Sequence, residues 1–156
     1  MSGKIILGCD SAAVELKNTL GRYLAERGYE VEDLGCGDCA DPVNYPAVAE
    51  RVCGRIISGG YADRGILVCG TGIGMSIVAN KFQGIRAALC HDNYSAERAA
   101  LSNNANVLCL GARVVGTELA KKIVGEWVEL HYQDGPSTPK LREIDAIDAQ
   151  NRRESE

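Results

Sequence analysis

A chain of 156 residues, 46% apolar and 24% charged, has globular composition, with length for one domain and a substantial core but too little for two ordinary domains. Its formal charge of −4 and its lack of a Lys/Arg cluster exclude the basic face that a nucleic-acid partner demands, although one local pocket can still receive a small anion. No apolar run reaches the length of a membrane helix, Asp10, Glu15 and Lys17 interrupt any secretory pattern, and seven cysteines, an odd set, read as reduced thiols; a cytoplasmic protein without membrane contact is expected.

Along the chain, "KIILGCD" (4–10) reads as a strand, and Val14, Leu16, Leu20, Tyr23 and Leu24 follow at helical spacing until Gly28. "EVEDLG" (30–35) is a weaker strand, followed by a loop rich in Gly, Cys, Asp and Pro up to Tyr45-Pro46. Val48, Val52, Ile56 and Ile57 then mark a second amphipathic helix. "RGILVCG" (64–70) is the third strand and "IGMSIVANKF" (73–82) its helix. "GIRAALC" (84–90) and "ANVLCLG" (105–111) supply two more strands on either side of "NYSAERAALSN", and "GTELAKKIVGEWVELHY" (116–132) reads as a long helix. Leu141, Ile144 and Ile147 mark a short last helix that frays into charge. Such alternation predicts an α/β domain with a parallel sheet covered on both faces, whose strands are continuous apolar runs.

Ligands of such sheets bind beyond the carboxyl ends of the strands. That edge collects Cys9-Asp10-Ser11, Cys69-Gly70-Thr71, Cys90-His91-Asp92 and Gly111-Ala112-Arg113. Gly70, Gly72 and Gly74 lack the spacing of a dinucleotide fingerprint, because Met75 occupies the place of its third glycine, and no Gly-Lys-Ser/Thr follows as in a phosphate loop. What remains is a turn whose glycines let backbone N–H groups approach an anion closely, with Cys69 at its lip as a base or nucleophile, or else simply as the last buried residue of its strand.

The stretch "DRGILVCGTGIGMSIVANKFQGIRAALC" (63–90), with "GCDSAAVELK", "NYP" and "ANVLCLGARVVGTELAKKIV", resembles the ribose-5-phosphate isomerase B and galactose-6-phosphate isomerase family over residues 1–145, leaving 146–156 as a charged tail. The resemblance implies a three-layer, Rossmann-like αβα sandwich with a five-stranded parallel sheet in the order 2-1-3-5-4. It further implies a homodimer or homotetramer with shared active sites, and aldose–ketose interconversion of a sugar phosphate through a cis-enediolate without metal or cofactor. Cys69 matches the family's base, and Met75 stands where another branch has a glutamate. Thr71 would bond the sugar, and the amides of Gly70, Gly72 and Gly74 would stabilise the enediolate oxygen, where one lost donor costs about 2.7–4 kcal/mol. Asp10 and Tyr45 match positions that hold sugar hydroxyls, though Asp10 could equally cap a helix and Tyr45 form a turn. Asn103 matches an enediolate contact, and Arg113 and Lys140, with Arg86 as a further candidate, would meet the phosphate.

The sequence departs from the pattern at four places. Ser11 and Ser102 stand where the ribose-5-phosphate enzymes have histidines, and Pro136 and Lys140 where they have phosphate-binding arginines. Ser102 can bond the sugar or cap a turn, and Lys140 can equally be a solvated tail residue. The histidine matched by Ser102 is associated with opening the sugar ring. A tetrose 4-phosphate cannot close into a furanose, since its fourth oxygen carries the phosphate, so erythrose 4-phosphate and erythrulose 4-phosphate become the first candidate substrates, with another phosphorylated sugar or an unphosphorylated one left open. His91 reads as structural, and His131 as an exposed residue of the long helix. Two rival readings stay open: a sugar-phosphate-binding module without turnover, and a redox thiol protein built on Cys36 and Cys39, whose spacing finds no second ligand pair for zinc.

Overall fold

The computed structural model describes residues 3–153. Strands and helices alternate: β1 Ile5–Cys9, α1 Val14–Glu26, β2 Val31–Asp33, α2 Tyr45–Ser58, β3 Arg64–Cys69, α3 Ile73–Ala79, β4 Ala87–Leu89, α4 Asn93–Leu101, β5 Val107–Gly111, α5 Thr117–Glu129 and α6 Thr138–Arg153. All strand pairs are parallel and the sheet order is β2-β1-β3-β5-β4, as the resemblance implies. Helices α2 and α3 pack together on one face, while α1 and α4 pack against α5 on the other. Every residue of β1 and β5 is buried, and every residue of β3 after Arg64, so the central strands are apolar on both faces. Ile6, Leu7, Ile66, Leu67, Leu108 and Leu110 are wholly enclosed, with Trp127 of α5. Among the described residues no helix is long and apolar enough to cross a membrane.

Several elements differ in length from their sequence patterns, and side-chain amides explain two cases. The third helix stops at Ala79 rather than Phe82, because Asn80 brackets Ala87: its Nδ2 donates to the Ala87 carbonyl at 3.0 Å and its Oδ1 accepts from the Ala87 amide at 2.8 Å. The fourth strand shrinks to Ala87–Leu89 because Asn106 substitutes for the ladder ahead of it. Its Oδ1 accepts from the Arg86 amide at 2.8 Å and its Nδ2 donates to the Gly84 carbonyl at 2.9 Å. Helix α5 ends at Glu129, which places His131 beyond it rather than on it. Helix α6 runs through Arg153, longer than its three apolar positions indicated. Arg86 with Asp145, the Gly84 amide with Asp148, and Arg152 with the Lys81 carbonyl tie it to the body of the fold. Residues 154–156 of the expected tail lie outside the described residues.

Lys17 sits on the face of α1 that buries Leu20 and Leu24, three and seven residues on, and is 2% exposed. Its ammonium lies 2.5 Å from Asp33 Oδ2 and 3.1 Å from the Cys36 carbonyl, pinning the start of the loop that leads from β2 to α2. Asp33 is half-exposed and can be hydrated without its partner; Lys17 cannot. Asp33→Asn, which keeps the bond from the Gly35 amide but strands a buried cation, should therefore cost about 3 kcal/mol in urea unfolding, and Lys17→Met much less. Equal losses would contradict that asymmetry.

Burial pushes the thiols of Cys9 and Cys90 up to about 11 and that of Cys53 up to about 12, from an ordinary value of 9.0. Such a shift contributes stability that is complete below pH 9 and disappears as the pH rises through the folded values, because only the unfolded chain releases these protons. Melting temperature should fall steadily between pH 9 and 11. Replacement of Cys53 by Ala should flatten that slope.

Candidate active site

The turn after β3 and the turn after β5 meet at the carboxyl edge of the sheet. Register sets Cys69 abreast of Gly111; beyond it the Ala112 amide donates to the Cys69 carbonyl at 2.8 Å and the Arg113 amide to the Gly70 carbonyl at 3.0 Å. The Arg113 guanidinium lies across Gly70, where a Cβ would stand 3.1 Å from Nη1. This arginine and Cys69 therefore belong to one cluster within one chain.

Cys69 is 5% exposed, and its Sγ accepts a hydrogen bond from the Gly72 amide at 3.1 Å. Gly72 adopts φ +77, the left-handed region, and a Cβ on it would lie 2.6 Å from Leu89 Cδ1 and 2.8 Å from the Leu110 carbonyl carbon. Thr71 is exposed, and its Oγ1 accepts from the Ile73 amide at 3.3 Å. Gly74 is required by Tyr45, the first residue of α2, whose ring would meet a Cβ there at 2.5 Å. Three alternating glycines thus serve three approaches: a guanidinium, the β5 backbone and an aromatic ring. The amides of Gly70, Thr71, Gly74 and Met75 have no hydrogen-bond partner among the described residues.

Asp10 follows Cys9, which pairs with Val68, and so lies beside Cys69. Its Oδ1 accepts from the Ala12 amide at 3.0 Å, capping the 3-10 turn Ser11–Ala13, while Oδ2 has no bond among the described residues. The cap and the free oxygen coexist. Ser11 begins that turn and is half-buried. His91 takes a structural role: its Nε2 accepts from the Gly111 amide at 2.9 Å, bracing the β5 turn from the side. Met75 is fully buried in the core.

The other candidates lie elsewhere in the chain. Ser102 caps the end of α4, its Oγ accepting from Arg98, and Asn103 follows it, so both sit where β5 begins rather than where it ends. Five residues of strand separate that edge from the glycine turn, about 16 Å. Lys140 is an exposed residue in the first turn of α6, and Arg86 is paired with Asp145. Cys36 is buried and Cys39 exposed, both as free thiols. No sequence pattern signals that His91 holds Gly111 or that Gly111 presses on Thr71, because both contacts join segments far apart in the chain. Lys17 was detectable, since it shares the helical period of Leu20 and Leu24.

Residues 5–144 match the family described as Ribose/Galactose Isomerase. The chain belongs to that family. It is 52% identical over 140 residues, covering 90% of this chain and 91% of the relative, to the D-erythrulose-4-phosphate isomerase of Pectobacterium atrosepticum. It is 46% identical over 149 residues, 96% of this chain and 99% of the other, to the ribose-5-P isomerase B of Listeria innocua. The solved structure of Clostridium thermocellum ribose-5-phosphate isomerase B superposes with a TM-score of 0.89 at 40% identity, over 95% of this chain and 99% of that one. Like these members, this chain is an aldose–ketose isomerase of sugar phosphates, which sets aside the binding-only and redox-thiol readings.

The crowding at Gly72 is directly testable. Gly72→Ala imposes both a left-handed alanine and an overpacked Cβ, and should cost at least about 2 kcal/mol of unfolding free energy. Gly37→Ala, where a Cβ meets nothing within 4 Å, should stay within about 0.5 kcal/mol. Similar values for both would remove the packing account of the turn.

Proposed function

We propose that the chain interconverts the ketose and aldose forms of a tetrose 4-phosphate, erythrulose 4-phosphate and erythrose 4-phosphate, with Cys69 as the base. The observation that carries this reading is the placement of the Cys69 sulfur: it receives the Gly72 amide on a turn that holds four further amides without a partner among the described residues and a guanidinium laid across Gly70. An N–H aimed at sulfur bonds a thiolate better than a neutral thiol. The thiolate removes a proton from C1 of the ketose, the electron pair forms the C1–C2 double bond, and the C2 oxygen gains the negative charge that the free amides receive. Transfer of the hydroxyl proton from O1 to O2, with return of the abstracted proton to C2, leaves the aldehyde at C1 and a hydroxyl at C2. One carbon is oxidised as its neighbour is reduced, so the step needs no external oxidant and no cofactor. Thr71 and the free oxygen of Asp10 orient hydroxyls, and Arg113 meets the phosphate.

The substrate follows from what is missing. Ser11 and Ser102 supply no imidazole, so nothing at either place can open a ring by proton transfer, and a tetrose 4-phosphate has no furanose to open. The D-erythrulose-4-phosphate isomerase relative supports the same choice. Ser102, Asn103 and Lys140 reach a Cys69 only if a second copy brings them, and we assign the active assembly as a homodimer or homotetramer. Exposed Ile73, Ile77, Leu89 and Tyr94 around the glycine turn supply an apolar surface for that contact. Seven free thiols fit a reducing compartment, the cytoplasm.

Cys69→Ala should lower kcat by about 10²–10⁴ and abolish deuterium uptake from heavy water at C1 and C2, with the melting temperature little changed. Retention of a tenth of the activity would remove Cys69 as base. The wild-type enzyme should use erythrulose 4-phosphate with a kcat/KM at least tenfold above that for ribose 5-phosphate; the reverse order would defeat the tetrose assignment while leaving the base intact.

A further inference from the structure

A cavity of about 590 Å³ opens at the opposite edge of the sheet, where β3 begins, with Tyr29, Arg64, Arg86, Asn104, His131 and Asp145 among its walls. Its size is that of a small-molecule pocket rather than a hydration site. Asp145 is paired with Arg86, and Asp148, which also lines it, with Arg152 and the Gly84 amide. The charge left over is Arg64.

Arg64 is unusual among its kind. Of the partly buried arginines, Arg55, Arg86, Arg98 and Arg152 each have a carboxylate within 4.0 Å, and Arg64 has none among the described residues. Its guanidinium carbon lies 3.6 Å from the ring centroid of Trp127, and its Nη1 donates to the carbonyls of Leu130 at 3.1 Å and Val128 at 3.4 Å. Among the described residues Nε and Nη2 have no partner. Desolvation draws its pKa down to about 10, which still leaves it cationic at neutral pH. A cation placed in this way for structure alone is expected to find a carboxylate, since removal from water costs more than carbonyl contacts return. Here the aromatic ring and two carbonyls fix the plane of the guanidinium, and the two-nitrogen edge that matches a carboxylate or phosphate remains free.

We propose that this cavity is a second ligand site, independent of the isomerase reading, that takes a small organic oxyanion, a carboxylate or a phosphate ester, on the Nε–Nη2 edge of Arg64. The glycine turn stands apart from this cavity, since Arg64 and Cys69 lie at opposite ends of β3.

Trp127 is the single tryptophan of the chain and reports on its neighbour directly. The full-length protein is titrated with glycerol 3-phosphate and, separately, with succinate at constant ionic strength while Trp127 emission is followed. A saturable change with at least one probe is expected, and the probe that gives it tells which oxyanion is preferred. Arg64→Met should weaken that Kd at least tenfold, whereas Arg113→Ala, at the glycine turn, should leave it within twofold. The absence of saturation with both probes, an unaltered Kd in Arg64→Met, or loss of the transition in Arg113→Ala would each overturn the site. Should Arg64→Met fail to fold, Arg64→Lys retains the charge without the planar fork and should weaken binding severalfold. Wild-type crystals soaked with the responding probe should show it against Nε and Nη2; an empty cavity at saturating concentration would overturn the proposal.

Discussion

The register of β3 against β5 holds the site together. With Cys69 level with Gly111, the next two amides of the β5 turn reach the carbonyls of Cys69 and Gly70, and the side chain of Arg113 is delivered over the glycine turn. A slip of one residue would turn each side chain of β5 to the other face and take Arg113 away from Gly70. Both strands are buried on both faces, so the apolar core fixes this register, and the chemistry at the carboxyl edge depends on packing several residues below it.

The same sheet separates two kinds of work. Its carboxyl edge gathers the thiol, the unengaged amides and the guanidinium. Its amino edge gathers Ser102, Asn103, Arg86 paired with Asp145, and Arg64, which has no carboxylate partner among the described residues. Residues that are close in sequence, such as Asn103 and Arg113, fall on opposite edges because β5 lies between them. Proximity in the chain is a poor guide to membership of a site in a doubly covered parallel sheet.

Much of this was legible in the sequence, for identifiable reasons. The continuous apolar runs at 66–69 and 107–110 announced buried parallel strands, and the Cys-Gly-Thr-Gly turn announced a close backbone approach. The strand order came from resemblance, since alternation alone does not dictate it. The ends of α3 and β4 were hidden because Asn80 and Asn106 imitate backbone partners, and such bonds exist only once distant segments are side by side. Helix α6 was underestimated because its hold on the fold runs through charged side chains, Asp145 to Arg86, Asp148 to the Gly84 amide and Arg152 to the Lys81 carbonyl, and such anchors leave little trace in hydrophobic period. Tyr45, read as either a sugar contact or a turn residue, begins α2 and lays its ring over Gly74, a contact between segments far apart in the chain.

Wedged between Leu89, Leu110 and the Tyr45 ring, the glycine turn has little freedom to adapt its shape. A rigid template of this sort treats the two carbons at the head of any sugar alike, whatever the length of the tail. Discrimination between chain lengths then falls to residues outside the template, which can drift over evolutionary time without disturbing it. Divergence within such a lineage should accumulate at the periphery, and a designer seeking new substrates would leave the turn alone and vary its surroundings.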